Sequence, residues 1–367
     1  MAVATRTAVV VEGLTVSAYE IPTDEPESDG TLEWDSTTIV VVEAHAGGET
    51  GLGYTYAPAA AGKLVEEKLA AEAEGADARA PAAAWERLAR ALRNAGRPGI
   101  GFCALAAVDT ALWDLKARLL GLPLVDVLPR VHDAVPVYGS GGFCSYSLER
   151  LCEQLSGWVE AGIPRVKMKI SREPERDPQR LDAARAAIGD NAELYVDSNG
   201  ALRPKPALGW AHRLRREWGV SWFEEPVSSA DFAGLRLVRE QGPAGLEIAA
   251  GEYAYVLADF CNLVGAVDCL QADVTRCGGI TGLLQAAGLA AAHGLEISGH
   301  CAPALSAHAL CAVPNRRNLE YFHDHVRIES LLFDGVLEPV EGELKPDRSR
   351  PGNGLELKRA DAEPYAV

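Results

Sequence analysis

The feature that most constrains the fold is a series of short apolar runs that recur along residues 166–320 and end in charged side chains. The runs cover residues 166–170, 194–197, 222–226, 248–252, 269–273, 295–300 and 319–320. Helix-length segments separate them, and this alternation is typical of a parallel sheet. Enough such units close into a (β/α)₈ barrel, in which the carboxyl ends of the strands face one shared pocket.

The chain has 367 residues, whereas a barrel alone needs about 250, so we predict an α/β barrel with a smaller second domain. The predicted parts are an N-terminal α+β capping domain at residues 1–130, a TIM-like (β/α)₈ barrel at 131–345 and a tail at 346–367 that returns to the cap. The first barrel strand is predicted at 135–138, followed by a glycine-bearing loop at 139–142.

Residues 6–56 predict a β-meander, because β-branched runs at 8–11 and 38–42 alternate with glycine turns. The polar segment at 21–34 contains Pro and Gly and looks too hydrophilic for a core. From Asp24 to Trp34 it is either a lid that closes over substrate or a solvated loop. Helices are predicted at about 59–120, with Gly121 ending the last one.

The net charge of −17, from 52 acidic and 35 basic residues, disfavours nucleic acid and anionic membranes as partners but admits a small anion held by local cations. The start of the chain does not resemble a signal peptide, and no run of about 18 apolar residues occurs. Eight cysteines without CxxC pairs favour reduced, mostly buried thiols. We expect a cytoplasmic protein that forms a homo-oligomer.

Three carboxylates, Asp197, Glu224 and Glu252, end successive predicted strands and would therefore meet at the mouth of the barrel. Like charges that close require a cation, and hard oxygen ligands favour Mg²⁺. Each residue also has an ordinary structural role open to it: Asp197 can form an Asx turn, Glu225 can be the inward residue in place of Glu224, and Glu252 can cap a helix. Three carboxylates in register favour the metal site.

Candidate acid/base groups lie on both sides of this predicted site. Lys167 and Lys169 share one strand face, so each should lower the pKa of the other and favour a neutral amine, unless the strand is a solvated edge. Asp273 on the neighbouring strand can orient His300. Glu320 is either a protonated hydrogen-bond donor to an oxyanion or part of a surface salt bridge. Such a set suits removal of the α-proton of a carboxylic acid.

At this point the sequence resembles the enolase superfamily and, within it, the mandelate racemase subgroup. The resemblance covers nearly the whole chain and rests on residues 106–114 through 121–123, Lys167-x-Lys169, Asp197-x-Asn199, Glu224-Glu-Pro226, Gly251-Glu252 and Asp273 followed by Gly278-Gly279. It implies that Mg²⁺ is bound by Asp197, Glu224 and Glu252.

The resemblance also implies roles for the remaining residues. Lys169 would be a base, Lys167 would hold the substrate carboxylate, His300 with Asp273 would be the second acid/base, and Glu320 would donate a hydrogen bond to the enediolate. We further expect Asn199 and Trp34 to contact the substrate. The muconate lactonizing subgroup has a lysine where this chain has the Asp273 and His300 pair, which disfavours cycloisomerases and dipeptide epimerases, and enolase itself fits less well. Arg276 stands where some relatives have Lys.

The leading prediction is dehydration of a sugar acid to a 2-keto-3-deoxy acid. Lys169 would take the α-proton, and protonated His300 would expel the β-hydroxyl. The same pair could racemise or epimerise a 2-hydroxy acid. A non-catalytic barrel that binds metabolites is the third alternative, but it would require a ligand or base to be lacking, and all are present. The polar segment that ends at Trp34 favours a polyol acid.

Overall fold

The computed structural model describes residues 9–367, whose largest element is a closed barrel of eight parallel strands. The strands are β4 (Val135–Gly141), β5 (Arg165–Lys169), β6 (Glu193–Asp197), β7 (Trp222–Glu224), β8 (Glu247–Ala250), β9 (Cys269–Asp273), β10 (Glu296–His300) and β11 (Arg316–Phe322). They pair in this order, and β11 pairs with β4 to close the sheet. The predicted barrel is confirmed, although β4 is longer than expected because residues 139–141 belong to the strand and not to a loop.

A helix follows each barrel strand; the first seven connect successive parallel strands, as crossovers require, and the eighth follows β11. They are α6 (Leu148–Glu160), α7 (Asp177–Ile188), α8 (Pro204–Trp218), α9 (Phe232–Gln241), α10 (Leu257–Leu263), α11 (Gly279–Ala292), α12 (Pro303–Leu310) and α13 (His323–Leu332). Short apolar residues on α7, such as Leu181 and Ala184, face the sheet and are fully buried.

The N-terminal part is a three-stranded antiparallel sheet with helices packed against it. It contains β1 (Gly13–Ser28), β2 (Glu33–Ala46), β3 (Glu49–Tyr56), α1 (Ala60–Leu64), a π-helical turn (Val65–Leu69), α2 (Ala70–Ala73), α3 (Pro81–Ala91), a 3₁₀ turn (Leu92–Asn94), α4 (Ile100–Leu120) and α5 (Leu124–Val127). Gly53 lets β3 lie directly on α4, since a Cβ there would come within 2.3 Å of the Ala107 carbonyl oxygen. Gly121 ends α4 with a left-handed φ of 65°, and the predicted α+β cap is confirmed.

The predicted first run of the meander is not a strand where it is described. Val10 makes only an isolated bridge to Asp77, and the part of that run before residue 9 lies outside the described residues. After the barrel the chain forms β12 (Phe333–Asp334), β13 (Glu343–Leu344), β14 (Glu356–Leu357), α14 (Arg359–Ala362) and a 3₁₀ turn (Glu363–Tyr365). Its last amide, of Val367, donates to the Ala18 carbonyl of β1. The boundaries at 130 and 345 stay a prediction.

The polar segment at 21–34 is part of a β-hairpin, although half of its residues are exposed. Strand β1 continues to Ser28 and pairs with β2 on both sides of an irregularity between Pro22 and Glu27, and Glu27, Ser28 and Asp29 are buried. We call residues 21–36 the hairpin tip. It lies on the rim of the barrel, where the Ser28 carbonyl accepts a hydrogen bond from the Cys144 amide. Polar residues are buried here because the barrel rim supplies their partners.

Two further expectations concern membrane-spanning helices and the state of the cysteines. No helix among residues 9–367 is both long and apolar enough to cross a membrane. All eight cysteines are free thiols, and five of them are buried, in agreement with the sequence.

Gly30 holds the hairpin tip against the barrel, because a Cβ there would lie 2.3 Å from the Ser198 carbonyl oxygen and 2.9 Å from that of Ile170. We expect Gly30→Ala to lift the tip and to speed amide hydrogen exchange of residues 21–36, while exchange in the barrel strands is unchanged. Gly13→Ala is the control, since nothing lies within 4 Å of a Cβ at Gly13. Unchanged protection in Gly30→Ala would contradict this packing.

Candidate active site

Alternating side chains along the barrel strands build two layers inside the barrel. Tyr195 and Trp222 point inward and stack, with ring centroids 5.2 Å apart. Two residues further along the same strands, Asp197 and Glu224 also point inward, because side chains two apart share a face. The aromatic layer therefore forms a floor, and the Trp222 indole donates a hydrogen bond of 2.9 Å to Glu224 above it.

Left-handed backbone conformations follow the carboxyl ends of several strands. They occur at Ser171, Asn199, Glu225 and Cys301, with φ of 80°, 44°, 37° and 51°. Non-glycine residues adopt this region at a cost, and such strain concentrates at functional sites. These turns lead the chain away from the strand ends, so that the strand ends stay open toward the cap.

The three predicted metal ligands are buried at adjacent strand ends. Asp197 and Glu224 are fully buried, and Glu252 is 3 % exposed. Asp197 also forms the Asx turn considered above, since its Oδ1 accepts from the Asn199 amide at 2.7 Å. Among residues 9–367, the buried oxygens Glu225 Oε1 and Asn199 Oδ1 have no hydrogen-bond donor. Buried acceptors without donors beside several carboxylates fit a divalent cation.

The charges in this layer shift one another's pKa values. Burial raises the pKa of Glu224 to about 8. Asp197 and Glu320 add to the rise by repelling its charge, and Lys167 offsets the rise only in part. Burial likewise raises the pKa of Glu225, with Glu252 adding to the effect. The lysines therefore compensate only in part for the repulsion between these carboxylates.

The expectation of neutral lysines is wrong for this arrangement. Lys167 is fully buried, and its Nζ contacts Glu224 and lies 2.7 Å from Glu320 Oε1 and 3.6 Å from Asp197 Oδ2. Lys169 Nζ lies 2.6 Å from Asp197 Oδ2. Burial lowers the pKa of both lysines, but the carboxylates outweigh burial and hold each pKa above its usual value.

His300 is held by acidic groups at both ring nitrogens. Nδ1 lies 2.8 Å from Asp273 Oδ2, and Nε2 lies 3.1 Å from Glu252 Oε2 and 3.2 Å from Glu320 Oε2. Burial lowers the pKa of His300, but these neighbours raise it well above the usual value. Asp273 is itself fixed, because its Oδ1 accepts from the Thr275 amide and hydroxyl, each at 2.7 Å.

Glu320 is fully buried, so the surface salt bridge is excluded. Its carboxylate accepts from Ser140 Oγ at 2.6 Å and contacts Lys167 and His300. Burial raises the pKa of Glu320, but Lys167 and His300 outweigh burial and lower it. These contacts hold the carboxyl group in place, and donation by Glu320 to an enediolate stays a prediction.

Above this layer lies a cavity of about 510 Å³ between the barrel and the hairpin tip. It is lined by Lys169, Asn199, Glu252 and His300 from the barrel and by Trp34 from the cap, among others. Five of the ten predicted site residues thus line one cavity. The other five are buried outside its lining: Lys167, Asp197, Glu224, Asp273 and Glu320. Trp34 is fixed by its hydrogen bond of 2.9 Å to Glu27 and by edge contact with Phe143.

Arg276 closes one side of this cavity. Its Nη1 donates to the Glu252 carbonyl at 3.2 Å, its Nε lies 3.5 Å from Asp273 Oδ2, and its guanidinium lies over the Tyr253 ring. The residue therefore braces the carboxylate partner of His300.

Comparison with known proteins decides the family. The model of the mandelate racemase / muconate lactonizing enzyme N-terminal domain matches residues 19–129, and the enolase C-terminal domain-like model matches residues 150–362. The chain belongs to the enolase superfamily. The resemblance read from the sequence is confirmed, and pairing of Lys or His bases with Mg²⁺ is a known property of this superfamily.

Individual members are similar over nearly the whole chain. A solved mandelate racemase/muconate lactonizing enzyme-like protein from Rubrobacter xylanophilus is 63% identical, with a TM-score of 0.97 over 98% of this chain and 100% of that chain. The 3,6-anhydro-alpha-L-galactonate cycloisomerase of Streptomyces coelicolor is 32% identical over 95% of this chain and 97% of the relative. L-talarate/galactarate dehydratase from Salmonella typhimurium LT2, solved with Mg and L-lyxarohydroxamate, is 28% identical, with a TM-score of 0.89 over 100% and 95% of the two chains.

These relatives correct one argument from the sequence. Lack of a second lysine was expected to disfavour cycloisomerases, yet a sugar-acid cycloisomerase is among the similar members of the superfamily.

Several residues of this enolase-superfamily site escaped the sequence analysis. Thr275 carried a usable signal, since Asp-x-Thr is the spacing of a turn in which the aspartate accepts from the threonine. Tyr56, His325 and Asp29 also line the cavity. Asp29 follows β1, Tyr56 ends β3 and His325 lies in the first turn of α13, and no local pattern brings them together.

Glu27 makes the stability of this superfamily member depend on pH. Burial, with Asp324 and Asp24 nearby, raises its pKa from 4.5 to about 8. Between these values the folded chain binds a proton that the unfolded chain has lost, so stability falls as pH rises through this window. We expect Glu27→Gln to raise the free energy of unfolding relative to wild type by on the order of 1–3 kcal/mol at pH 9 and to change it little at pH 5.

Urea unfolding at the two pH values checks this expectation. Glu25→Gln, an exposed position on the same strand, is the matched control and should show no such pH dependence. An equal effect of Glu27→Gln at both pH values would show that Glu27 does not titrate in this range.

Proposed function

We propose that this protein dehydrates a sugar acid to a 2-keto-3-deoxy acid. The observation that carries the proposal is that Lys169 and His300 line one cavity together with Glu252 and Asn199. An amine on one strand end and an imidazole on another can reach opposite faces of a carbon held between them. Proton removal at one carbon and departure of oxygen from the next require this arrangement.

Lys169 is the base for the α-proton. Lys169 is 5 % exposed, and its side chain reaches the cavity from β5. Its Nζ donates a hydrogen bond to Asp197, which holds it in place. Lys167 lies beneath it and supplies positive charge near the substrate carboxylate. Asn199, whose side-chain oxygen has no donor within residues 9–367, accepts a hydrogen bond from a substrate hydroxyl.

Asp197, Glu224 and Glu252 would hold Mg²⁺. A bound ion would supply positive charge that stabilises the substrate carboxylate and the charge that develops when the α-proton is removed. Glu320 links Lys167 to His300, so its role is to position these two groups.

His300 is the acid that protonates the leaving β-hydroxyl. Asp273 fixes the ring through Nδ1, which leaves the proton on Nε2 to be given to the departing oxygen. Loss of water leaves the enol of the product, which becomes the 2-keto-3-deoxy acid when its hydroxyl proton is released and the β-carbon gains a proton. The elimination itself balances, with one proton taken at Lys169 and one given at His300.

Cycloisomerisation is the second candidate, because a cycloisomerase of an anhydro sugar acid is similar over nearly the whole chain. In an anhydro acid the leaving β-oxygen is a ring ether and stays attached, so the same proton transfers give an isomer without loss of water. Racemisation would use the same pair with His300 as the opposing base.

Incubation with Mg²⁺ and a panel of sugar acids and anhydro sugar acids in D₂O distinguishes these reactions. We expect 2-keto acid formation, which is read by semicarbazide derivatisation, with water lost from open-chain acids. Lys169→Met and His300→Asn should each lower kcat by about 10²–10⁴-fold. α-Deuterium without loss of hydroxyl in wild type would show racemisation, and unimpaired dehydration by either variant would remove that residue from the mechanism.

Metal binding is tested separately by calorimetry with Mg²⁺. We expect Asp197→Asn and Glu252→Gln to weaken Mg²⁺ binding by about 100-fold or more, because each removes a charged ligand. Glu247→Gln is the control, since Glu247 lies at the opposite end of β8 and pairs with Arg317. Wild-type affinity in both ligand variants would place the cation elsewhere.

A further inference from the structure

We propose that the substrate of this cavity is a sugar acid with one carboxylate, an aldonate or its anhydro form, and not a dicarboxylate aldarate. The inference rests on the proposed function, since it names the class of sugar acid that the site accepts. It is carried by the chemistry of the end of the cavity that the cap provides.

The basic side chains that line the cavity all lie at its barrel end. Lys169 is paired with Asp197, His300 with Asp273, and Arg276 with Asp273 and the Glu252 carbonyl. We therefore place the reacting carboxylate of the substrate at the barrel end. The basic side chains there already form ion pairs with acidic residues of the barrel.

The cap end offers hydroxyls, aromatic rings and one acid. The cap contributes Asp29, Leu32, Trp34, Ser36, Thr37, Thr38 and Tyr56, and Phe322 and His325 border them from the barrel side. No Lys or Arg of the described chain is among them. Basic residues do occur near the hairpin tip, but Arg150 pairs with Asp24, Arg172 with Glu33 and Arg327 with Asp324, and none of them lines the cavity.

Asp29 disfavours binding of a second carboxylate at the cap end of the cavity. It is 6 % exposed, and its Oδ1 accepts three hydrogen bonds, from the Thr31 amide, the Thr31 hydroxyl and the Leu32 amide. These bonds fix the side chain and leave Oδ2 to accept from a substrate hydroxyl. A carboxylate in the same place would meet a like charge of low solvent exposure.

His325 of α13 supplies a neutral donor where the barrel meets Tyr56 of the cap. Its ring stacks on Tyr56, with centroids 3.4 Å apart, and its Nδ1 accepts from the Ala302 amide at 3.3 Å. An accepting Nδ1 places the ring proton on Nε2. Burial lowers the pKa of His325 to about 3, so the ring is neutral. A neutral N–H donor recognises a hydroxyl oxygen without supplying the charge that a carboxylate needs.

The test compares aldonates with aldarates of the same chain length in the presence of Mg²⁺. We expect kcat/KM to favour aldonates by about 10-fold or more. Asp29→Asn, which can keep the turn through its amide oxygen, should narrow this preference by about 10-fold. Asp24→Asn is the matched control, because Asp24 lies on the same hairpin tip outside the cavity lining and should leave the preference unchanged.

Binding to the Lys169→Met variant, measured by calorimetry with Mg²⁺, decides the inference apart from turnover. Tighter binding of aldonates supports it, even if no acid is dehydrated and the proposed reaction fails. Faster turnover or tighter binding of aldarates, or no binding of aldonates, overturns it. Aldarate dehydration would at the same time leave the proposed reaction standing.

Discussion

The structure depends on the compensation of charge inside a closed barrel. Asp197, Glu224 and Glu320 are fully buried together, and Lys167 lies among them without exposure to solvent. An uncompensated charge in such a place is costly, so each group must find a partner. The strong shifts in pKa are the consequence of this crowding. This crowding is the reason that a divalent cation fits the site. It is also the reason that the proposed base, Lys169, and the proposed acid, His300, can be held near each other.

The barrel makes this crowding possible through the two-residue period of its strands. Tyr195 and Trp222 fill the floor, and the next inward positions along the same strands carry Asp197 and Glu224. The aromatic layer excludes water from below, and the hairpin tip covers the site from above, with Gly30 in backbone contact with the rim. Rigid packing on both sides keeps the charged side chains close to a single arrangement.

Much of this could be predicted from the sequence because it depends on local pattern. Strand-length apolar runs that end in Asp197, Glu252 or His300 indicate both the barrel and the residues at its mouth. What could not be predicted depends on contacts between distant segments. The ion pair that keeps Lys169 charged comes from another strand. Residues 21–28 extend β1 despite their polar composition because both ends of this stretch pair with β2 and Ser28 accepts a hydrogen bond from the barrel rim.

The central claim is that Lys169 and His300 act on neighbouring carbons of one substrate, and hydrogen exchange tests it most directly. His300→Asn with Mg²⁺ in D₂O should place deuterium at the α-carbon of an aldonate without forming a keto acid, because the base remains and the acid is gone. Lys169→Met should give neither exchange nor product. Exchange in Lys169→Met, with none in His300→Asn, would contradict the assignment of base and acid.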